Sequence, residues 1–84
     1  MNKPIEADIV QRLTEESAAI LNLRVEEIGA HTPLASIGMD SLNLVALLVF
    51  IEKNYGVNLV KAGLGNEDLR TIGALAACIT RAAG

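Results

Sequence analysis

The sequence predicts an all-α fold, an up-down bundle of three main helices with a short helix before the last and a long first loop, forming a single domain over residues 1–84. Two observations carry this expectation. Apolar residues recur at helical spacing in three separate stretches. About half of the chain is hydrophobic while Phe50 and Tyr55 are its sole aromatics, so the core has to come mostly from Leu, Ile, Val and Ala. A chain of 84 residues adds a limit, with room for one modest core and none for an elaborate active site.

The first helix is expected from Lys3 to about Leu21. Ile5, Ile9, Leu13 and Ile20, with Val10 and Leu21 beside them, form one stripe, and Glu6, Asp8, Arg12, Glu15 and Glu16 point elsewhere. Pro4 is tolerable only in the opening turn, where its missing N–H would have no partner anyway. Asn22 to Met39 reads as a long connection holding Gly29, Pro33 and Gly38, and a loop of that length must be pinned. Leu23, Val25, Ile28, Leu34 and Ile37 are spaced irregularly, as side chains anchoring a loop over a core would be.

The second helix is expected over Ser41 to Tyr55, closed by Gly56 as a left-handed cap. It has two apolar stripes. Leu44, Leu47, Leu48 and Ile51 should face the core, whereas Leu42, Val45, Ala46 and Val49 follow the same spacing on another face. So short a chain can hardly bury a helix on every side, so the second stripe should be at least partly exposed. Val57 to Gly65 is a connector, and Asn66 is expected to cap a short turn through Glu67, Asp68 and Leu69. Thr71 should cap the last helix, with Ile72, Leu75, Ala76 and Ile79 as its inner face and a frayed Ala-Ala-Gly end. The buried core is expected to include Ile9, Leu13, Ile20, Leu47, Leu48, Ile51, Leu75 and Ile79.

The turn Gly38-Met39-Asp40-Ser41-Leu42 organises this plan. Gly38 can bend the backbone, Asp40 and Ser41 both suit a helix cap, and a serine hydroxyl sits at the mouth of an apolar helix. Unpaired N–H groups of a first helical turn carry partial positive charge, so a phosphate esterified to that hydroxyl would lie in a favourable field.

At these residues the chain resembles the acyl, peptidyl and polyketide carrier proteins, whose marker is an aspartate-serine-leucine turn opening their second helix. The likeness extends to Pro33-Leu34-Ala35-Ser36-Ile37 before the turn, Glu52-Lys53-Asn54-Tyr55-Gly56-Val57 after the helix, and Thr71-Ile72-Gly73 at the last helix, nearly the whole chain. The long first loop is also a family trait. The resemblance implies that Ser41 is esterified by 4′-phosphopantetheine from coenzyme A, whose thiol carries the acyl group. It also implies that Asp40 and Leu42 belong to the surface read by the phosphopantetheinyl transferase. The stripe of Leu42, Val45, Ala46 and Val49 is then where acyl-transferring and acyl-modifying synthase enzymes dock. Fatty-acid carriers of the dissociated bacterial type usually have acids two and five residues after the serine, where this chain has Asn43 and Ala46. An exposed ion pair is worth only about 0–1 kcal/mol, but several steer encounter with a basic partner, so their loss suggests apolar docking. Together with the compact Pro33-Leu34-Ala35-Ser36-Ile37-Gly38 lead-in, which looks more like polyketide or peptide-synthetase carriers, it leans toward a specialised, polyketide-like pathway, with fatty-acid biosynthesis as the other pathway the resemblance implies.

Other classes fit less well. A hydrolase built from Ser41, His31 and Asp40 would need Gly-x-Ser-x-Gly between a strand and a helix, but Leu42 follows the serine and no strand precedes it. The expectation is therefore a non-enzymatic carrier without catalytic residues. His31 has no neighbouring ligands for a metal site and should face solvent, and Cys78 should pack as a small hydrophobe. A net charge of −3 without a basic, aromatic-interleaved cluster argues against nucleic acid. A lone cysteine suits a reducing cytoplasm, the amino terminus lacks the apolar core of a signal peptide, and the Leu42–Ile51 run is too short to span a bilayer. A monomer is expected. The rival from another class is a helical interaction or oligomerisation module that exposes Val45 and Val49 and carries no prosthetic group.

Overall fold

The computed structural model describes residues 5–83, and all of its regular structure is helical. The three main helices are α1 (Glu6–Leu21), α2 (Ser41–Tyr55) and α3 (Ile72–Ala83). Three single 3-10 turns lie between them, at Val25–Glu27, Leu34–Ile37 and Asn66–Leu69, the last being the expected short helix before α3. Helix α1 packs against both α2 and α3.

Helix α1 starts at Glu6, later than its apolar pattern suggested, because Ile5 is extended and exposed as the N-cap while its carbonyl accepts the Ile9 N–H at 3.0 Å. Lys3 and Pro4, which the sequence put in the first turn, lie outside the described residues. Glu6 and Asp8 in the first turn suit the positive end of the helix dipole. Asn22 ends the helix in the left-handed region and donates its N–H to Ala18 O. Helix α2 occupies its expected span, with Gly56 at φ 67° returning its N–H to Glu52 O. Helix α3 runs through Ala83, so Ala82 and Ala83 of the end expected to fray are helical, while Gly84 lies outside the described residues. Its Thr71 cap forms as expected, Thr71 Oγ1 accepting the Ala74 N–H at 3.0 Å.

One apolar core joins all three helices. Ile9, Leu13, Leu47, Ile51, Ile72, Leu75, Ala76 and Ile79 are fully buried, and Cys78 is buried among them as a small hydrophobe. Ile20 and Leu48, expected inside, are only partly covered, as is Leu44. Leu48 also lines an open hollow with Val45, Val49, Leu59 and Val60, which places it where the inner and outer stripes of α2 meet. The chain's two aromatics sit at the core's edge. The Arg12 guanidinium lies 5.7 Å from the Phe50 ring centre and 5.8 Å from that of Tyr55, and donates to Asn54 Oδ1 at 2.9 Å, clamping α1 to the end of α2.

The long first loop is pinned by side chains and by backbone. Ile28 and Leu34 are buried and Leu23 and Ile37 pack against the core, but Val25 is exposed. Val25 opens a single turn, and Ile28, extended just beyond it, takes the inward place. Leu34 N–H donates to Arg70 O at 2.8 Å and Gly73 N–H to Ala30 O at 2.9 Å, tying the loop to the start of α3. A Cβ on Gly73 would stand 3.1 Å from that same Ala30 oxygen, so the close approach uses the missing side chain.

In the connector, Val57 and Leu59 are buried and Val60 is exposed. Asn66 does not cap the following turn. Gly65 is its N-cap, and Asp68 Oδ2 accepts the Gly65 N–H at 2.8 Å from inside the turn, a task open to a side chain three residues along. Asn58 supplies the unexpected cap, its Oδ1 accepting the Lys61 N–H at 3.0 Å.

Candidate functional site

The site is built by a turn and a helix mouth. Gly38 sits at φ 94°, a conformation that side chains resist, and donates its N–H to Ala35 O, while Met39 N–H donates to Leu34 O at 3.1 Å. This fold-back delivers Asp40 in extended geometry as the N-cap of α2. Asp40 Oδ1 accepts the Asn43 N–H at 2.8 Å and its carbonyl accepts the Leu44 N–H at 2.9 Å. The cap is thus Asp40, and Ser41, equally suited by composition, is the first residue of the helix with its side chain left over.

Among the described residues, the Ser41 hydroxyl has no hydrogen-bond partner and the N–H groups of Ser41 and Leu42 have no acceptor. Ser41 is exposed. The other two serines of the chain are differently placed: Ser17 is fully buried in α1, and Ser36 donates its hydroxyl to Pro33 O at 2.7 Å. Ser41 therefore combines accessibility, an uncommitted hydroxyl and a positive helix end, which is what an oxygen entering a phosphodiester needs.

Beyond the serine, Leu42 is 81% exposed, Val45 55% and Val49 46%, with Ala46 exposed beside them, while Leu47 and Ile51 of the same helix are fully buried. The outer stripe expected from the sequence is therefore a real surface. It is continuous with a residue that the sequence pattern did not single out. Val60, 70% exposed on the connector, meets Val45 and Val49 across a hollow of about 340 Å³ edged by Glu52 and Lys61. No periodicity marks Val60, because its position depends on how the connector crosses α2.

His31 is exposed on the first loop, and no shared geometry with Ser41 is present among the described hydrogen bonds. Among the described residues, no group of three or more His, Cys, Asp or Glu side chains is placed to hold a metal ion. No helix of the described residues is long and apolar enough to cross a membrane.

Comparison with known proteins yields no match to a curated protein and none to a solved structure. A family model does match: that of the phosphopantetheine attachment site, over residues 11–79, well over half of the chain and inclusive of the Asp40-Ser41-Leu42 turn. The helical bundle, the serine at the helix mouth and this match agree, and the chain belongs to the phosphopantetheine attachment family, whose members carry 4′-phosphopantetheine covalently.

Proposed function

We propose that this protein is an acyl carrier whose Ser41 holds the phosphopantetheine arm, with the arm's thiol carrying acyl intermediates as thioesters to successive enzymes. The observation that carries the reading is the division of labour at the turn. Asp40 satisfies the helix cap, so Ser41 Oγ is exposed and uncommitted beside the two unaccepted N–H groups of Ser41 and Leu42. A phosphate ester at this oxygen would meet those donors. The arm supplies the thiol chemistry, and the chain itself positions and presents it. The protein performs no bond chemistry alone.

The docking face in this reading is Leu42, Val45, Ala46 and Val49, with Asp40 and Leu42 read by the phosphopantetheinyl transferase and the remainder by acyl-transferring and acyl-modifying synthase enzymes. Its apolar character and the absence of acids at Asn43 and Ala46 favour a specialised, polyketide-like pathway over a generic fatty-acid one. The carrier is taken to act as a cytoplasmic monomer, with the single domain as its working unit.

The test is to incubate the protein with coenzyme A, magnesium and a broad-specificity transferase. An intact-mass gain of one phosphopantetheinyl group, absent in Ser41→Ala, supports the carrier. No gain with several transferases proven active on other carriers would instead favour a helical interaction module using the Val45 and Val49 face.

A further inference from the structure

Six large apolar side chains stay exposed among the described residues, and four of them share one face: Leu42, Val45 and Val49 on α2 and Val60 on the connector. Together they make a patch of roughly a few hundred Å², the scale at which exposed apolar surface on a soluble protein has a use. The patch has a projection and a socket. Leu42, the most exposed of the four, stands at the start of α2, while Val45, Leu48, Val49, Leu59 and Val60 wall the hollow of about 340 Å³ beside the later turns. Leu42 precedes Val49 by seven residues, about 10 Å along the helix axis, so it cannot close the hollow of its own chain.

A second copy laid antiparallel on the first brings projection and socket together. With a twofold axis crossing α2 between Val45 and Ala46, Leu42 of each copy faces Val49 of the other, because the two positions lie equally far from that midpoint. The small Ala46 at the midpoint lets the helices approach, and each Leu42 enters the other copy's hollow.

Charge favours the same sense. Asp40 flanks the Leu42 end of the stripe, and Lys61 shares the rim of the hollow with Glu52 at the other end. Neither Asp40 nor Lys61 pairs with an opposite charge among the described residues. In the antiparallel arrangement Lys61 of each copy comes to Asp40 of the other, whereas a parallel one would set like charges against each other. Asn43 and Ala46 are uncharged, so no repulsion runs along the seam.

We infer that two copies of this chain pair reversibly and antiparallel through the α2 face, with Leu42 of each seated in the Val45, Val49 and Val60 hollow of the other. Two such patches bury less than the roughly 1,200 Å² of a standard stable interface, so the pair is weak, with a Kd on the order of 0.1–1 mM. Below that concentration the chain is a monomer. Resting on the reading of this face above, pairing and enzyme docking exclude one another, so a concentrated carrier covers the stripe that its enzymes read.

The test uses the unloaded chain alone and follows its amide NMR signals on dilution from about 2 mM to about 20 µM, a range that brackets the expected Kd. The signals of Leu42, Val45, Ala46, Val49, Val60 and Lys61 should move along one dimerisation curve. Val60→Asp, at an exposed connector position, should remove that movement with a melting curve near wild type. Lys61→Glu keeps the backbone N–H that Asn58 accepts, and it should weaken pairing about 2- to 30-fold through the loss of two exposed ion pairs per dimer. Signals that do not change with concentration, changes centred on α1 or the start of α3, or an indifferent Lys61→Glu would overturn the assignment. No transferase takes part, so each of these results leaves the loading of Ser41 to its own test.

Discussion

Leu47 and Val45 lie two residues apart on α2 and test which side of that helix holds the fold and which side is free for partners. Leu47 is fully buried in the cluster that includes Ile9, Leu13, Ile51, Leu75 and Ile79, whereas Val45 is more than half exposed. Leu47→Ala removes three carbons from the core. At about 0.8 kcal/mol for each, the transfer loss alone is about 2.4 kcal/mol, and the unfilled space adds to it, giving an expected cost of about 3–5 kcal/mol. Small domains have about 0.05–0.15 kcal/mol of stability per residue, so for 84 residues this is a large share of the whole. With an unfolding entropy of about 2.1 cal/mol/K per residue, each kcal/mol moves the melting temperature by about 5–6 °C, so Leu47→Ala should lower it by about 15–30 °C. Val45→Ala should stay within about 3 °C, because surface changes are usually within about 0.5 kcal/mol and alanine is the better helix former. Both are read by thermal denaturation followed by far-UV circular dichroism. An unchanged melt for Leu47→Ala, or equal losses in the two variants, would show that the faces of α2 have been assigned the wrong way round.

Asp40→Ala removes the acceptor of the Asn43 N–H and should cost about 1 kcal/mol by chemical denaturation, whereas Asp40→Asn keeps a capping oxygen and should cost less. If Asp40→Asn nevertheless slows transferase loading as much as Asp40→Ala does, the charge rather than the cap is what the transferase reads. Val45→Asp should leave the melt near wild type but impair transfer to partner enzymes, and wild-type docking should weaken little across a salt series, since apolar burial is not screened. Strong loss of docking with salt, together with an indifferent Val45→Asp, would move recognition to charges elsewhere. Arg12→Ala should cost about 1–2 kcal/mol in a denaturant titration, from two exposed cation–π contacts and the bond to Asn54. A cost below about 0.3 kcal/mol would mean the clamp between α1 and α2 contributes nothing.

The parts of this structure that were legible in the sequence are those set by local chemistry. Helix α2 is bracketed by an aspartate that caps and a glycine that turns left-handed, and its two stripes sort by spacing, so its ends and its faces both follow from the residues. Thr71 and the inner face of α3 are legible in the same way. Composition could not choose between Asp40 and Ser41 as the cap, and that choice is what leaves the serine hydroxyl uncommitted. Asn66 looked like a cap because asparagine suits one, yet Asp68 reaches back from within the turn and Asn58 caps the turn before it. The remaining differences are non-local. The backbone bonds from Leu34 to Arg70 and from Gly73 to Ala30, the Arg12 clamp and the exposure of Val25 and Val60 all depend on how distant segments cross, and no periodicity records that.

The central claim is that the arm is attached to Ser41, and it is tested most directly by fragmenting the transferase-loaded protein and locating the added group among the three serines. The account predicts the whole of the added mass on fragments containing Ser41, with Ser36 and the buried Ser17 unmodified, because Ser41 alone is exposed at a helix mouth with an uncommitted hydroxyl. Added mass on Ser36 or Ser17, or loading of Ser41→Ala to the wild-type extent, would contradict it.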